Sequence, residues 1–201
     1  MIDDRYREFL TGNLRTQDIE HSGRDFYTHL RGTYDLLAAW GNPKFVCLAG
    51  LFHSIYGTFV FRRKTLAFDQ RNTVRELIGH QAEFLAYVFC VTERGGFPAL
   101  AAGSGRVVVE DYRTKEKIAL SRTELTHLLE IEAANLIEQG GDVQALLRRL
   151  LTTPISRAAK TAVAAALGGP AGGQTPKDDR HSASRSSNGW ANASATVASP
   201  R

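Results

Sequence analysis

Residues 25–58 read DFYTHLRGTYDLLAAWGNPKFVCLAGLFHSIYGT, and this stretch decides the fold. Phe26, Leu30, Tyr34, Leu37 and Trp40 recur at helical spacing, which predicts an amphipathic helix over Asp25–Gly41. Gly41-Asn42-Pro43 stops that helix and starts another. Lys44–Phe52 is almost wholly apolar, the pattern of a central helix buried on most sides. Each of the two helices brings one histidine, His29 on the first and His53 at the end of the second.

Helical patterning continues on both sides. Asp3–Thr11 is a short candidate helix. Val74, Leu77, Ile78, Ala82, Leu85, Ala86 and Phe89 form one stripe along Thr73–Val91, which reads as a single long helix. Gly95–Tyr112 breaks the pattern with turn formers and the run Arg106–Val109, a short strand or extended loop. Ser121-Arg-Thr-Glu124 is a capping-box signature, because hydroxyl and carboxylate can each accept a free amide at a helix start. The helix it opens carries Leu125, Leu128, Leu129, Ala133, Leu136 and Ile137 and stops at Gly140-Gly141; Asp142 is placed to cap the next, Val143–Leu151. The fold class expected is all-α, with a short irregular or β segment near 95–112.

Three segments follow from composition. Residues 1–153 form the helical domain, and 154–167 an Ala-rich helix after Pro154. Residues 168–201 are a Gly-, Ser-, Ala- and Pro-rich tail in which Trp190 alone is large and apolar. A tail of that kind buries too little surface to offset its ordering entropy, and disorder is expected. The tail holds four Lys/Arg against two Asp, so about half of the formal charge of +4 lies outside the folded part. No dense basic face with interleaved aromatics appears, and nucleic acid is not an expected partner. The charged N-terminus has no signal-peptide core, and no run approaches the ~18 apolar residues of a membrane span. A cytoplasmic protein is expected, with Cys47 and Cys90 as buried free thiols in apolar runs.

His29 and His53 are the candidate metal ligands, because neutral imidazoles bind Zn, Mn, Fe or Ni when other donors complete the shell. Two buried histidines can equally close a polar cluster by hydrogen-bonding Ser54, Thr33 or Asn135. Glu76, Glu83, Glu130 and Glu132 could supply negative charge. Alternatively, Glu76, His80 and Glu83 form a solvated helix edge. Arg62, Arg63, Lys64 and Arg71 are candidates for holding a phosphate or carboxylate substrate, unless they belong to a plain exposed loop. Phosphate-loop glycine patterns and a serine-hydrolase elbow are absent.

Across roughly Phe26–Gln139 the chain resembles the HD phosphohydrolase superfamily, most of all its alarmone-hydrolase branch. LFHSIYGT resembles that branch's LLHDVVEDT, VRELIGHQAEFLAYVFCVT its helix ending in GVT, and LLEIEAANLIEQ its LIKLADRLHN helix. The chain also resembles a group of small HD-like proteins with HSxYGT in place of the His-Asp pair. The resemblance implies an HD-like helical bundle, a divalent metal (Mn, Zn, Fe or Mg) on His29 and His53, and hydrolysis of a small phosphorylated metabolite or nucleotide. Ser54 stands at the position of the paired Asp, Asn135 at that of the last Asp, and Gly57-Thr58 replace the acidic pair. Ser54, Thr58 and Asn135 are therefore the candidate catalytic side chains. The same departures imply an alternative, a catalytically silent HD-like module that binds a small ligand or a protein. A metal-dependent oxygenase, as some two-iron relatives are, needs more carboxylate and histidine ligands than this sequence offers.

Overall fold

The computed structural model describes residues 2–21, 24–58 and 65–168. Asp3 caps helix α1 (Asp4–Glu8), which widens into a π-helical turn over Phe9–Asn13. The helix expected to run to Thr11 thus ends earlier as an α-helix. A 3-10 turn (Thr16–Asp18) and a two-residue antiparallel ribbon, β1 (Glu20–His21) with β2 (Arg24–Asp25), lead into α2 (Phe26–Ala39). The Asp25 side chain accepts the Thr28 amide at 2.9 Å and caps α2.

Helix α3 (Lys44–Leu51) begins directly after Pro43 and buries every residue from Val46 to Leu51. It packs against α2, against α5 (His80–Val91) and against α7 (Arg122–Gln139). Gly50 permits its approach to α2, since a Cβ there would run into Leu37 Cδ1. The interior has two parts. One gathers Leu37, Val46, Cys47, Ala49, Phe89 and Leu129; the other gathers Tyr6, Leu10, Phe26, Leu48, Leu51 and Phe52. Emptying any of these leucine positions to alanine costs about 2–5 kcal/mol in transfer and cavity energy.

The helix expected over Thr73–Val91 is two helices. After a 3-10 turn (Phe68–Gln70), α4 (Arg71–Ile78) ends at Gly79 and α5 follows at once. Gly79 has φ +87 and ψ 157, a conformation that only glycine adopts without strain. Beyond a further 3-10 turn (Arg94–Gly96), the broken segment contains α6 (Phe97–Ala102) and then an antiparallel hairpin, β3 (Val107–Glu110) with β4 (Lys117–Leu120). The strand was legible in the β-branched run; its partner, KIAL, was not.

Ser121 caps α7 with both halves of the capping box. Its Oγ accepts the Glu124 amide at 3.1 Å, and Glu124 Oε2 accepts the Ser121 amide at 2.7 Å. Helix α8 (Gln144–Leu150) is preceded by Val143 rather than capped by Asp142, and α9 (Arg157–Gly168) packs back on α7. The described fold is mostly helical. The tail expected to be disordered falls, but for Gly168 at the end of α9, outside the described residues.

Candidate functional site

His29 and His53 meet in the interior. Their Nε2 atoms lie 3.2 Å apart, and their side chains belong to residues 1% and 0% exposed. Helix α2 delivers His29 from its second turn, and the turn after α3 delivers His53. Helix α7 supplies Asn135, whose Oδ1 lies 3.1 Å from His53 Nε2. Phe89 closes one side, edge-on to the His53 ring with centroids 5.1 Å apart.

The outward nitrogens fix what the inward ones present. His53 Nδ1 faces the Gly50 carbonyl at 2.6 Å, an atom that only accepts, so Nδ1 carries the proton. His29 Nδ1 faces the carboxylate of Glu138. In the neutral, singly protonated rings both Nε2 lone pairs then point at one another. Asn135 adds a third acceptor: its Nδ2 donates to Glu132 Oε2 at 3.4 Å, which turns Oδ1 toward His53. Glu132 is itself held by Arg94 Nε at 2.8 Å. His53 Nε2 thus faces an acceptor on either side, and acceptors in contact require a proton or a cation between them.

The spacing fits a metal ion. Ligand bonds of about 2.0–2.1 Å in a tetrahedral shell separate neighbouring donors by roughly 3.3 Å, close to the 3.2 and 3.1 Å found here. Each imidazole also donates its remote N–H to a carboxylate or a backbone carbonyl, the arrangement that orients metal-binding histidines. The donor set is poor in charge, however. Among the described residues no three His, Cys, Asp or Glu side chains are placed to hold one ion, and the third donor is an amide oxygen.

The carboxylates considered as replacements are engaged elsewhere. Glu83, fully buried, receives Arg71 Nε and Nη2 at 2.6 and 3.0 Å, Arg75 Nη2 at 3.3 Å and the Tyr56 hydroxyl at 3.3 Å. It is therefore no part of a solvated edge, whereas Glu76 and His80 are exposed. Glu130 accepts the Asn42 side-chain amide at 2.5 Å and the Ser156 backbone amide at 2.6 Å. Arg71, expected at a substrate, lies on Glu83 and over the Tyr87 ring, 3.4 Å from its centroid. Ser54 and Thr58 are buried on the turn that carries His53. Arg62, Arg63 and Lys64 lie outside the described residues.

Sequence reasoning missed Glu138. Its only signal was position, one helical turn beyond Asn135 on the same face. It reaches His29 because Gly32 leaves a notch: a Cβ at Gly32 would stand 2.5 Å from Glu138 Cγ.

Residues 10–94 match the family model described as a domain of unknown function, DUF6817. The DUF6817 match takes in α2 to α5 and both histidines, and stops short of Asn135 and Glu138. No curated protein and no solved structure matches the chain. Among the described residues no helix is long and apolar enough to cross a membrane.

Proposed function

We propose that this chain is an HD-like, metal-dependent hydrolase acting on a small phosphorylated metabolite or nucleotide. The observation that carries the reading is the facing pair of Nε2 atoms, 3.2 Å apart, with both remote nitrogens turned to acceptors. His29, His53 and Asn135 Oδ1 would hold the ion. A divalent ion there would polarise a phosphate oxygen and acidify a bound water toward neutral pH. The chain's own share is to fix both imidazoles, to set the Asn135 amide through Glu132 and Arg94, and to keep the pair away from bulk water. Three neutral donors leave much of the ion's charge uncompensated, which favours an anionic ligand in its remaining positions.

The test is metal analysis of the full chain purified without a His-tag, followed by Mn2+ and Zn2+ titration of wild type and His53→Ala. Stoichiometric metal that is lost in the variant supports the reading. A metal-free wild type that His53→Ala leaves unchanged in binding and phosphatase assays removes it.

A second reading is favoured by Asn135 and Ser54 at positions where the resembled family has acids: an inactive HD-like module in which one proton, shared by the imidazoles, replaces the ion. Heat-denaturation shifts across a nucleotide panel separate the two. Shifts that need Mn2+ speak for the enzyme, and shifts without it for the module.

A further inference from the structure

We infer that the outer edge of β3 and the recess beside it form a docking site for an extended, basic peptide segment of a partner protein. The inference stands apart from the histidine pair. Ladder geometry shows which backbone groups of β3 are unpaired. The Asp111 amide donates to the Glu116 carbonyl at 3.0 Å, so Asp111, and by alternation Val109 and Val107, turn their amides and carbonyls toward β4. The amides and carbonyls of Val108 and Glu110 therefore turn the other way, where among the described residues no strand pairs with β3. What lies on that side is marked by the Tyr112 amide, two residues on, which donates to the Val91 carbonyl at the end of α5 at 2.9 Å.

Val108 is 40% exposed and is the one large hydrophobic side chain among the described residues left so open. Beside the edge is a recess of about 300 Å3, lined by Phe97 and Leu100 of α6 and by Val109 and Glu110 of β3. Phe97 and Val109 are buried, which makes its floor apolar. Backbone donors and acceptors that alternate at strand spacing are matched by another extended chain; such main-chain bonds supply affinity, and side-chain pockets supply selectivity. The recess has room for one or two side chains and none for a folded element. Charge chooses the sign. Glu110 is paired with Lys115 and Lys117 at 3.3 and 2.5 Å. Glu93 on the rim is exposed, and its neighbour Arg94 is turned to Glu132, so among the described residues no cation pairs with it. The segment that fits pairs its backbone with Val108 and Glu110, sets one apolar side chain in the recess and brings a lysine or arginine to Glu93.

Panning the full chain against a random octapeptide library on phage, with the recovered peptides then synthesised, tests the docking. The recovered peptides are expected to alternate β-branched or aromatic residues with polar ones and to carry a basic residue. Their binding should slow hydrogen exchange at the Val108 and Glu110 amides. Val108→Pro removes one outward amide and none from the ladder, a change that an edge strand tolerates, and should weaken binding about tenfold. Glu93→Lys alters an exposed side chain and keeps the test alive if Val108→Pro does not fold. It should weaken binding about two- to fivefold and turn renewed selection toward acidic peptides. No enrichment over an uncoated control, or peptides that bind both variants as they bind wild type, overturns the inference. So does slow exchange at the two amides in the chain alone: a dimer in ultracentrifugation would make the occupant a second copy, and a monomer would make it another part of the same chain.

Discussion

Glu132 decides which way Asn135 points. Its carboxylate accepts from the Asn135 amide nitrogen at 3.4 Å, and the amide oxygen is thereby turned to His53 at 3.1 Å. The side chain at position 135 is thus presented as an acceptor although it carries no charge.

Placing a charge there should have two effects of opposite sign. Asn135→Asp is expected to tighten Zn2+ or Mn2+ binding by at least about tenfold, because an anionic oxygen replaces a neutral one in a poorly hydrated site. The metal-free protein should melt lower, since a second buried carboxylate then sits beside Glu132. Chelator competition and thermal melts check both; weaker metal binding would speak against an ion at this position.

Glu83 ties α4 to α5 across the Gly79 break. Its carboxylate is fully buried and the Arg71 side chain 24% exposed. Removing one partner of such a pair strands the other, at a cost of about 3–5 kcal/mol. Glu83→Leu should therefore shift the urea midpoint strongly with little change in m-value. A loss below about 1 kcal/mol would mean that Arg71 and Arg75 relax into water.

Asp111 should set part of the acid limb of stability. Burial opposes its ionisation, but the Arg113 guanidinium, the Arg113 amide and the Tyr87 hydroxyl outweigh burial and hold its carboxyl below the ordinary 3.8. A carboxyl with a lowered folded value stabilises the fold above its unfolded value, and the contribution is lost as pH falls from 3.8 through the folded value. Asp111→Asn should flatten the stability curve in that acid window and lower the plateau above it. Parallel curves for the two proteins would rule this out.

Burial pushes the Cys47 thiol up to about 11 and the Cys90 thiol up to about 12. Neither forms an appreciable amount of thiolate near neutral pH, so native protein should resist alkylation while denatured protein takes label at both. Fast labelling of one cysteine in the native state would expose an opening of the core that the fold does not show.

Much of this was readable in order along the chain. The Gly41-Asn42-Pro43 break, the fully apolar helix after it and the Ser121–Glu124 cap are local signals, and each formed where expected. The pairing of His29 with His53 also follows from neighbouring elements joined by a tight turn. Failures came where distance or compensation intervened. The hydrophobic stripe of 73–91 continues through Gly79 because both helices face one core, so periodicity hid the break. Glu138 carried no signal of its own in the sequence; its burial depends on an absent side chain at Gly32, on another helix. Glu83 read as surface because its counter-ions sit on the neighbouring helix.

Helix α3 is eight residues long, and its side chains divide between the two halves of the interior: Val46, Cys47 and Ala49 to one, Leu48 and Leu51 to the other. Reading frame matters more here than residue identity. One amino acid inserted among 44–51 would rotate everything after it by about 100°, exchanging the partners of both halves and swinging His53 off its mate. An insertion at the exposed Gly141 joint would meet no such obstacle. Length polymorphism should therefore be tolerated behind α7 and forbidden in α3, whatever the inserted residue.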